Sequence, residues 1–156
     1  MAEIKLSVNG GERRVDVDPA TPLVYVLRNA LGLTGVKNGC GLEQCGSCAV
    51  LVDGASTLTC VAPVAGFEGR EIVTIEGLAD DDIGRRVRRA FVDRGAAQCG
   101  YCTPGIVVAV NALLRRSPRP SRSEILEALR PHLCRCGAHA RVLAAVDDLA
   151  REPADG

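Results

Sequence analysis

Eight cysteines fall into two sets of four in this 156-residue chain, and this division constrains the fold more than any other feature. The first set has the spacing Cys-x4-Cys-x2-Cys, with a fourth cysteine after eleven intervening residues. The second set is a Cys-x2-Cys pair followed, after thirty-one residues, by Cys-x-Cys. The eight residues are Cys40, Cys45, Cys48, Cys60, Cys99, Cys102, Cys134 and Cys136. Because each set supplies four thiolates, the chain is predicted to bind two metal centres.

The first set has the arrangement that plant-type ferredoxins use for one [2Fe-2S] cluster. A cluster held by thiolates is negatively charged, so its loop must turn sharply and direct backbone N–H groups toward the sulfurs. Glycine permits both, and Gly39, Gly41 and Gly46 surround these cysteines. The composition of the loop therefore agrees with the cysteine spacing.

Three other uses of the cysteines are less consistent with the sequence. A disulfide framework is typical of small secreted chains, whereas 47% of these residues are hydrophobic and the N-terminus does not have the pattern of a signal peptide. Four-cysteine zinc sites usually combine two Cys-x2-Cys pairs, which neither set contains. Cys99 and Cys102 alone resemble a thioredoxin-like redox pair, but the presence of Cys134 and Cys136 favours a second four-sulfur site.

The N-terminal part, residues 1–77, is predicted to be an α+β domain of the plant-type ferredoxin kind. Apolar residues alternate on both sides of a Gly-Gly turn, as in a β-hairpin, and a helical pattern with Thr21 as its N-cap follows. Three further strands are expected after the cysteine loop, with a turn at Asp53 and Gly54. The predicted bounds are a helix over 22–31, the cysteine loop over 37–48, and strands over 49–52, 57–61 and 72–75.

The C-terminal part, residues 82–153, is predicted to be a bundle of four short helices. Asp81 or Asp82 begins the first helix, Thr103 caps the second, and Ser121 with Glu124 forms a capping box for the third. Cys99 and Cys102 precede one helix, and Cys134 and Cys136 lie between the last two. The apolar run 105–110 predicts a helix that is buried on all sides at an interface. His132 is expected to be exposed near a helix end.

Charge and hydropathy exclude several classes of protein. The 19 basic and 19 acidic residues cancel, so there is no electrostatic footprint for nucleic acid. No stretch approaches the roughly 18 apolar residues of a membrane span. Nucleotide-binding, hydrolase and metalloprotease motifs are absent from the sequence. We expect a cytoplasmic protein that does no catalysis of its own.

The three most specific motifs together resemble the small iron–sulfur subunit of the molybdenum hydroxylases, the xanthine oxidase family. They are Gly39-Cys40-Gly41-x3-Cys45-Gly46-x-Cys48, then the segment 98–105 with the sequence QCGYCTPG, and finally Leu133-Cys134-Arg135-Cys136. The resemblance extends over nearly the whole chain. It implies two [2Fe-2S] clusters and an electron-transfer role without catalytic residues.

The same resemblance implies partners and further contacts. A separate large subunit would hold a molybdopterin cofactor beside the second cluster, where Gln98 and Cys102 would contact the pterin. Electrons would then pass through the second cluster and the first to a FAD-binding subunit or a cytochrome.

One departure bears on the substrate. Many relatives follow the Cys-Arg-Cys triplet with Thr-Gly-Tyr, whereas this chain has Gly137-Ala138-His139. This resembles subunits that serve N-heteroaromatic substrates, so such a compound is the expected substrate of the complex. The alternatives are an aldehyde, xanthine or CO dehydrogenase complex, or a freestanding two-cluster ferredoxin. His139 is expected to be a packing or interface residue and not a metal ligand.

Overall fold

A computed structural model describes residues 1–152, so residue 153, where the second predicted domain ends, lies outside the described residues. Along the chain, five strands with one helix between the second and the third are followed by four more helices. The strands are β1 (Ala2–Val8), β2 (Gly11–Val17), β3 (Val50–Val52), β4 (Ala55–Thr57) and β5 (Glu71–Val73). The helices are α1 (Leu23–Tyr25), α2 (Asp82–Asp93), α3 (Thr103–Arg116), α4 (Arg122–Leu129) and α5 (His139–Arg151). The α+β class is confirmed.

The five strands form one mixed sheet in the order β2-β1-β5-β3-β4. Strand β1 pairs parallel with β5, and the other neighbours pair antiparallel. The predicted turn between β3 and β4 is confirmed, with Asp53 and Gly54 at φ 49° and 83°. Positive φ at both positions is the conformation that a two-residue hairpin requires.

The helix that follows the first hairpin begins later than predicted and lacks the predicted cap. Pro22, not Thr21, is at the N-cap position, its backbone is extended, and no side chain caps the helix. The first N–H groups bond to a neighbouring segment instead, since Leu23 donates to the Ala62 carbonyl and Val24 to the Thr59 carbonyl. From Val26 to Ala30 the helix continues as a π-helical turn. These bonds attach α1 to the segment that carries Cys60.

Two strand predictions are shifted because the chain leaves the sheet to build other features. Strand β4 ends at Thr57, since Thr59 donates its N–H to the sulfur of Cys48 at 3.3 Å. Strand β5 ends at Val73, and a 3-10 helix follows over Ile75–Leu78. Thr74 between them bonds to the side chain of Asn9.

The four C-terminal helices are confirmed, as is the capping box of Ser121 and Glu124. Asp81 is the N-cap of α2 and accepts from Gly84. Cys102, not Thr103, is at the N-cap position of α3. Ion pairs between Arg86 and Glu152 and between Arg94 and Asp148 join α2 to α5. None of the described helices is long and apolar enough to cross a membrane.

Helix α3 connects the helices to the sheet. One side of α3 belongs to the core of the helical part, and Val108 packs with Ala49, Leu51 and Leu78 in a smaller core between the two parts. The apolar run 105–110 is thus buried within the chain. The expectation that this run marks an interface with another subunit is wrong. The domain bounds 1–77 and 82–153 stay predictions.

Candidate functional site

The structure gathers the first four cysteines around the loop between α1 and β3. Cys40 and Cys45 lie within hydrogen-bonding reach of each other, as do Cys48 and Cys60, and Cys40 is close enough to act electrostatically on Cys60. Cys48 and Cys60 are buried, whereas Cys40 is exposed. The first set therefore has a buried pair, Cys48 and Cys60, and an exposed edge at Cys40.

Backbone N–H groups point at these sulfurs. Leu42 and Gln44 donate to Cys40 at 3.3 and 3.2 Å, and Glu43 donates to Cys60 at 3.3 Å. Burial acts to raise the pKa of Cys40, but hydrogen bonds from Gln44, Leu42 and Cys45 outweigh it and lower the pKa to about 7. Donors at the sulfurs stabilise thiolates, the form that binds iron.

Cys60 shows the opposite effect. Burial raises the pKa of Cys60 to about 11, and the neighbouring thiol of Cys48 contributes to the rise. Two adjacent buried thiolates need a cation between them, since an uncompensated buried charge is costly. A bound metal supplies that charge and deprotonates coordinating thiols.

The second four cysteines meet where α3 begins and the segment between α4 and α5 returns. The thiols of Cys99 and Cys136 interact directly, as do those of Cys102 and Cys134. Burial raises the pKa of Cys102 to about 11, with a further rise from Cys134. Cys102 lies at the positively polarised N-terminal end of a 14-residue helix, which favours a negatively charged group there.

Three further contacts organise the second set. The N–H of Ala138 donates to the sulfur of Cys134 at 3.4 Å and lowers the pKa of that thiol. The N–H of Cys134 donates to Nε2 of His139 at 3.2 Å. Nε2 of Gln98 donates to the carbonyl of Cys136 at 3.1 Å, and Gln98 is exposed. His139 thus contacts the backbone of this set, a role the sequence did not reveal.

His132 is buried, with only 4% of its surface exposed, so the expectation of an exposed residue is wrong. Burial lowers its pKa to about 4. Its ring packs against Gly46 of the first cysteine loop, where an added Cβ would lie 2.3 Å from Nδ1. The residue therefore lies between the two cysteine sets.

The two sets are joined by direct hydrogen bonds. The N–H of Leu133 donates to the carbonyl of Cys45 at 3.0 Å, and Leu133 is covalently bonded to Cys134. The hydroxyl of Tyr101, which lies between Cys99 and Cys102, donates to the carbonyl of Asn38 at 2.6 Å. The two loops therefore touch through backbone groups close to their cysteines.

The donor sets fit two thiolate-bound iron–sulfur clusters. All eight cysteines are free thiols, in two groups of four, and N–H groups point at sulfurs in both groups. Across residues 1–152, no group of three or more His, Cys, Asp or Glu is arranged to hold a single metal ion. The assignment of the individual ligands stays a prediction.

Gly39 offers a test of the fit at the first set. An added Cβ there would lie 2.8 Å from the sulfur of Cys45, inside any normal contact. We expect Gly39→Ala to displace this sulfur and to speed the loss of iron to a chelator several-fold. Gly11→Ala is the control, since its Cβ would have only an ordinary contact at 3.8 Å. Equal rates of iron loss in the two variants would count against a cluster at this position.

Two domain families match the chain. Residues 6–65 match the 2Fe-2S iron-sulfur cluster binding domain, and residues 74–147 match the [2Fe-2S] binding domain. The matched ranges contain all eight cysteines.

Curated and solved relatives match over nearly the whole chain. One of the subunits of nicotinate dehydrogenase from Pseudomonas putida is 48% identical over 143 residues, which are 92% of this chain and 91% of that protein. Quinoline 2-oxidoreductase from Pseudomonas putida 86 contains a chain with 36% identity and a TM-score of 0.88. The match covers 96% of this chain and 92% of that one. Aldehyde oxidoreductase from Desulfovibrio gigas gives 38% identity and a TM-score of 0.88, but this chain covers only 17% of that longer one.

Proposed function

The chain belongs to the iron–sulfur subunits of the molybdenum hydroxylase family, and from this membership we propose that it carries electrons from a molybdopterin site in a partner subunit to an external acceptor. The role of the chain itself is electron transfer within a molybdenum-dependent oxidoreductase. Two [2Fe-2S] clusters supply the one-electron carriers for this role.

The observation that carries the proposal is the backbone hydrogen bond that joins the segments of the two cysteine sets. The N–H of Leu133 donates to the carbonyl of Cys45, so covalent bonds and one hydrogen bond connect Cys134 with Cys45. The contact between Tyr101 and Asn38 fixes the same two loops at a second point. The protein thereby holds its two four-thiolate sites close together and in a fixed relation.

The surrounding residues tune these sites. N–H groups of Leu42, Gln44 and Ala138 donate to sulfurs, and such donors raise the potential of an iron–sulfur centre. Burial of Cys48 and Cys60 excludes water from the inner side of the first site. Burial and hydrogen bonds to sulfur thus set the reduction potentials of the two sites. No acid–base side chain is needed for this role.

On the side of the second set, Gln98 and Cys102 are the proposed contacts of a pterin held by the large subunit. Gln98 is exposed and its Nε2 is bonded to Cys136, so Oε1 is the atom left to accept a hydrogen bond from an incoming group. Cys102 is half-buried and packs against the helical core, whereas Cys99 is exposed. A pterin would therefore meet Gln98 at the surface and reach Cys102 through the part of that residue that the helical core does not cover.

On the side of the first set, the exposed edge at Cys40 and Leu42 is the proposed exit for electrons. Leu42 is 66% exposed and Val61, next to Cys60, is 46% exposed. Apolar side chains beside a redox centre suit a docking partner, which we propose to be a FAD-binding subunit or a cytochrome. The eight thiols need a reducing environment, which supports a cytoplasmic location.

For the substrate of the whole complex, we propose an N-heteroaromatic compound. Nicotinate and quinoline, the compounds that two relatives are named for, share an aromatic ring containing nitrogen. The segment Gly137-Ala138-His139 adds support from the sequence. An aldehyde is the alternative, because aldehyde oxidoreductase is similar to nearly the same extent.

Purification of the native protein tests the electron-transfer proposal. We expect the chain to co-elute with a large, molybdenum-containing partner chain and to carry about four iron atoms, two for each binuclear cluster. The measurements are metal analysis and acid-labile sulfide on anaerobically isolated material. A lone monomer with both clusters would favour the freestanding ferredoxin, and zinc in place of iron would contradict both.

A further inference from the structure

Gly105, the third residue of α3, lies in backbone contact with the first cysteine loop. A Cβ added at Gly105 would lie 2.2 Å from the carbonyl oxygen of Gly46 and 3.1 Å from Cα of Ser47. Both atoms belong to the backbone between Cys45 and Cys48, so they cannot move aside as the end of a side chain would. The absence of a side chain at Gly105 therefore allows this loop to rest directly on the helix.

The same loop is equally close to the segment that precedes Cys134. Gly46 has φ +75°, and a Cβ there would lie 2.3 Å from Nδ1 of His132 and 2.6 Å from the carbonyl of Pro131. His132 precedes Cys134 by two residues, and Gly105 follows Cys102 by three. The backbone of Gly46 is thus in close contact with both segments that carry the second set of cysteines.

We propose that Gly105 is a positioning residue that sets the separation of the two cluster sites. This inference rests on the proposed function, since it concerns clusters in both sets. The Cβ of an alanine at this position would have to lie about 1 Å farther from the loop to make an ordinary van der Waals contact with it. Either α3 or the loop must then shift, and we expect a shift that separates the two backbones to move Cys45 and Cys48 away from Cys102.

If Gly105 affected only the stability of α3, Gly105→Ala would be expected to leave the cluster separation unchanged. Alanine favours a helix more than glycine does, so helix propensity by itself makes Gly105→Ala neutral or stabilising. The contact with Gly46 instead predicts a greater separation of the sites with both clusters retained. A readout of distance therefore distinguishes the two roles.

The test is electron paramagnetic resonance of the reduced complex, with wild type and Gly105→Ala compared. Two neighbouring reduced clusters split and broaden each other's signals, and this magnetic interaction falls with the inverse cube of their separation. We expect Gly105→Ala to retain both signals with a smaller splitting and a slower exchange of electrons between the clusters. Gly66→Ala is the matched control, because Gly66 is exposed and an added Cβ would lie within 4 Å of nothing beyond its own turn of the chain.

A second variant keeps the inference testable where Gly105→Ala does not assemble. Tyr101→Phe removes only the hydroxyl that donates to Asn38, and we expect a smaller change in the same direction. Tyr25→Phe is its control, since the Tyr25 hydroxyl accepts from the side chain of the same Asn38 within the first cysteine region.

The outcomes separate the two proposals. Both signals with wild-type splitting in Gly105→Ala overturn the role of Gly105. Where only Tyr101→Phe assembles, wild-type splitting in that variant overturns the inference, because the separation would then not respond to the contacts between the two loops. A lowered thermal stability with unchanged splitting also overturns it, because that result assigns the contact to stability alone. Absence of a second cluster signal in the wild-type complex overturns the proposed function, and the inference with it.

Discussion

Replacing Cys45 by serine is expected to abolish one of the two paramagnetic signals of the reduced complex and to leave the other. The sulfur of Cys45 lies with that of Cys40 in the first set, and the second set does not include it. A serine hydroxyl is a poor substitute for a thiolate at iron, so the first cluster should be lost together with about half of the iron. The loss of one carrier should also stop the proposed transfer of electrons through the chain.

Cys134→Ser is the reciprocal variant and should abolish the other signal. Cys134 belongs to the second set, where it receives the N–H of Ala138. Iron analysis and electron paramagnetic resonance on both variants check the assignment. Loss of both signals from a single substitution would show that the eight cysteines do not form two separate sites.

Local chemistry made much of this molecule predictable from its sequence. The capping box of Ser121 and Glu124, the N-cap at Asp81 and the turn at Asp53 and Gly54 depend on residues next to one another in the chain. Short spacings also linked the cysteines within the groups Cys40, Cys45 and Cys48, Cys99 and Cys102, and Cys134 and Cys136. Such features are predictable because neighbouring residues alone determine them.

The contacts between the two parts of the chain were not predictable in this way. The burial of His132 depends on Gly46, and the apolar run 105–110 is buried because α3 packs on the sheet. A periodic pattern indicates that a helix face is covered, but it does not identify the covering surface. The sequence therefore suggested a partner subunit where the chain covers itself.

The role of His139 was missed for a related reason. Its Nε2 accepts the N–H of Cys134 five residues earlier, which requires the chain to turn through Gly137 at φ +76°. A glycine directly after a Cys-x-Cys pair is consistent with such a turn. Without the turn geometry, however, nothing in the sequence connects the imidazole to this N–H.

Val108→Asp is expected to have the largest effect on stability, because Val108 lies in the core that joins α3 to the sheet. Val108 is completely buried among Ala49, Leu51 and Leu78, which offer no side-chain partner for a carboxylate. A buried charge without a partner costs about 3–5 kcal/mol, so the midpoint of thermal unfolding should fall by about 10 °C.

The matched control for this variant is Val92→Asp on α2, where the valine is 73% exposed. An exposed aspartate pays no burial cost, so the midpoint should stay within about 2 °C of wild type, the range expected for surface changes. Both midpoints are measured by circular dichroism at one scan rate, because unfolding with loss of iron is irreversible. Equal midpoints for the two variants would mean that the core around Val108 does not stabilise the packing of α3 on the sheet. The close contact between Gly105 and Gly46 would then need another source of stability.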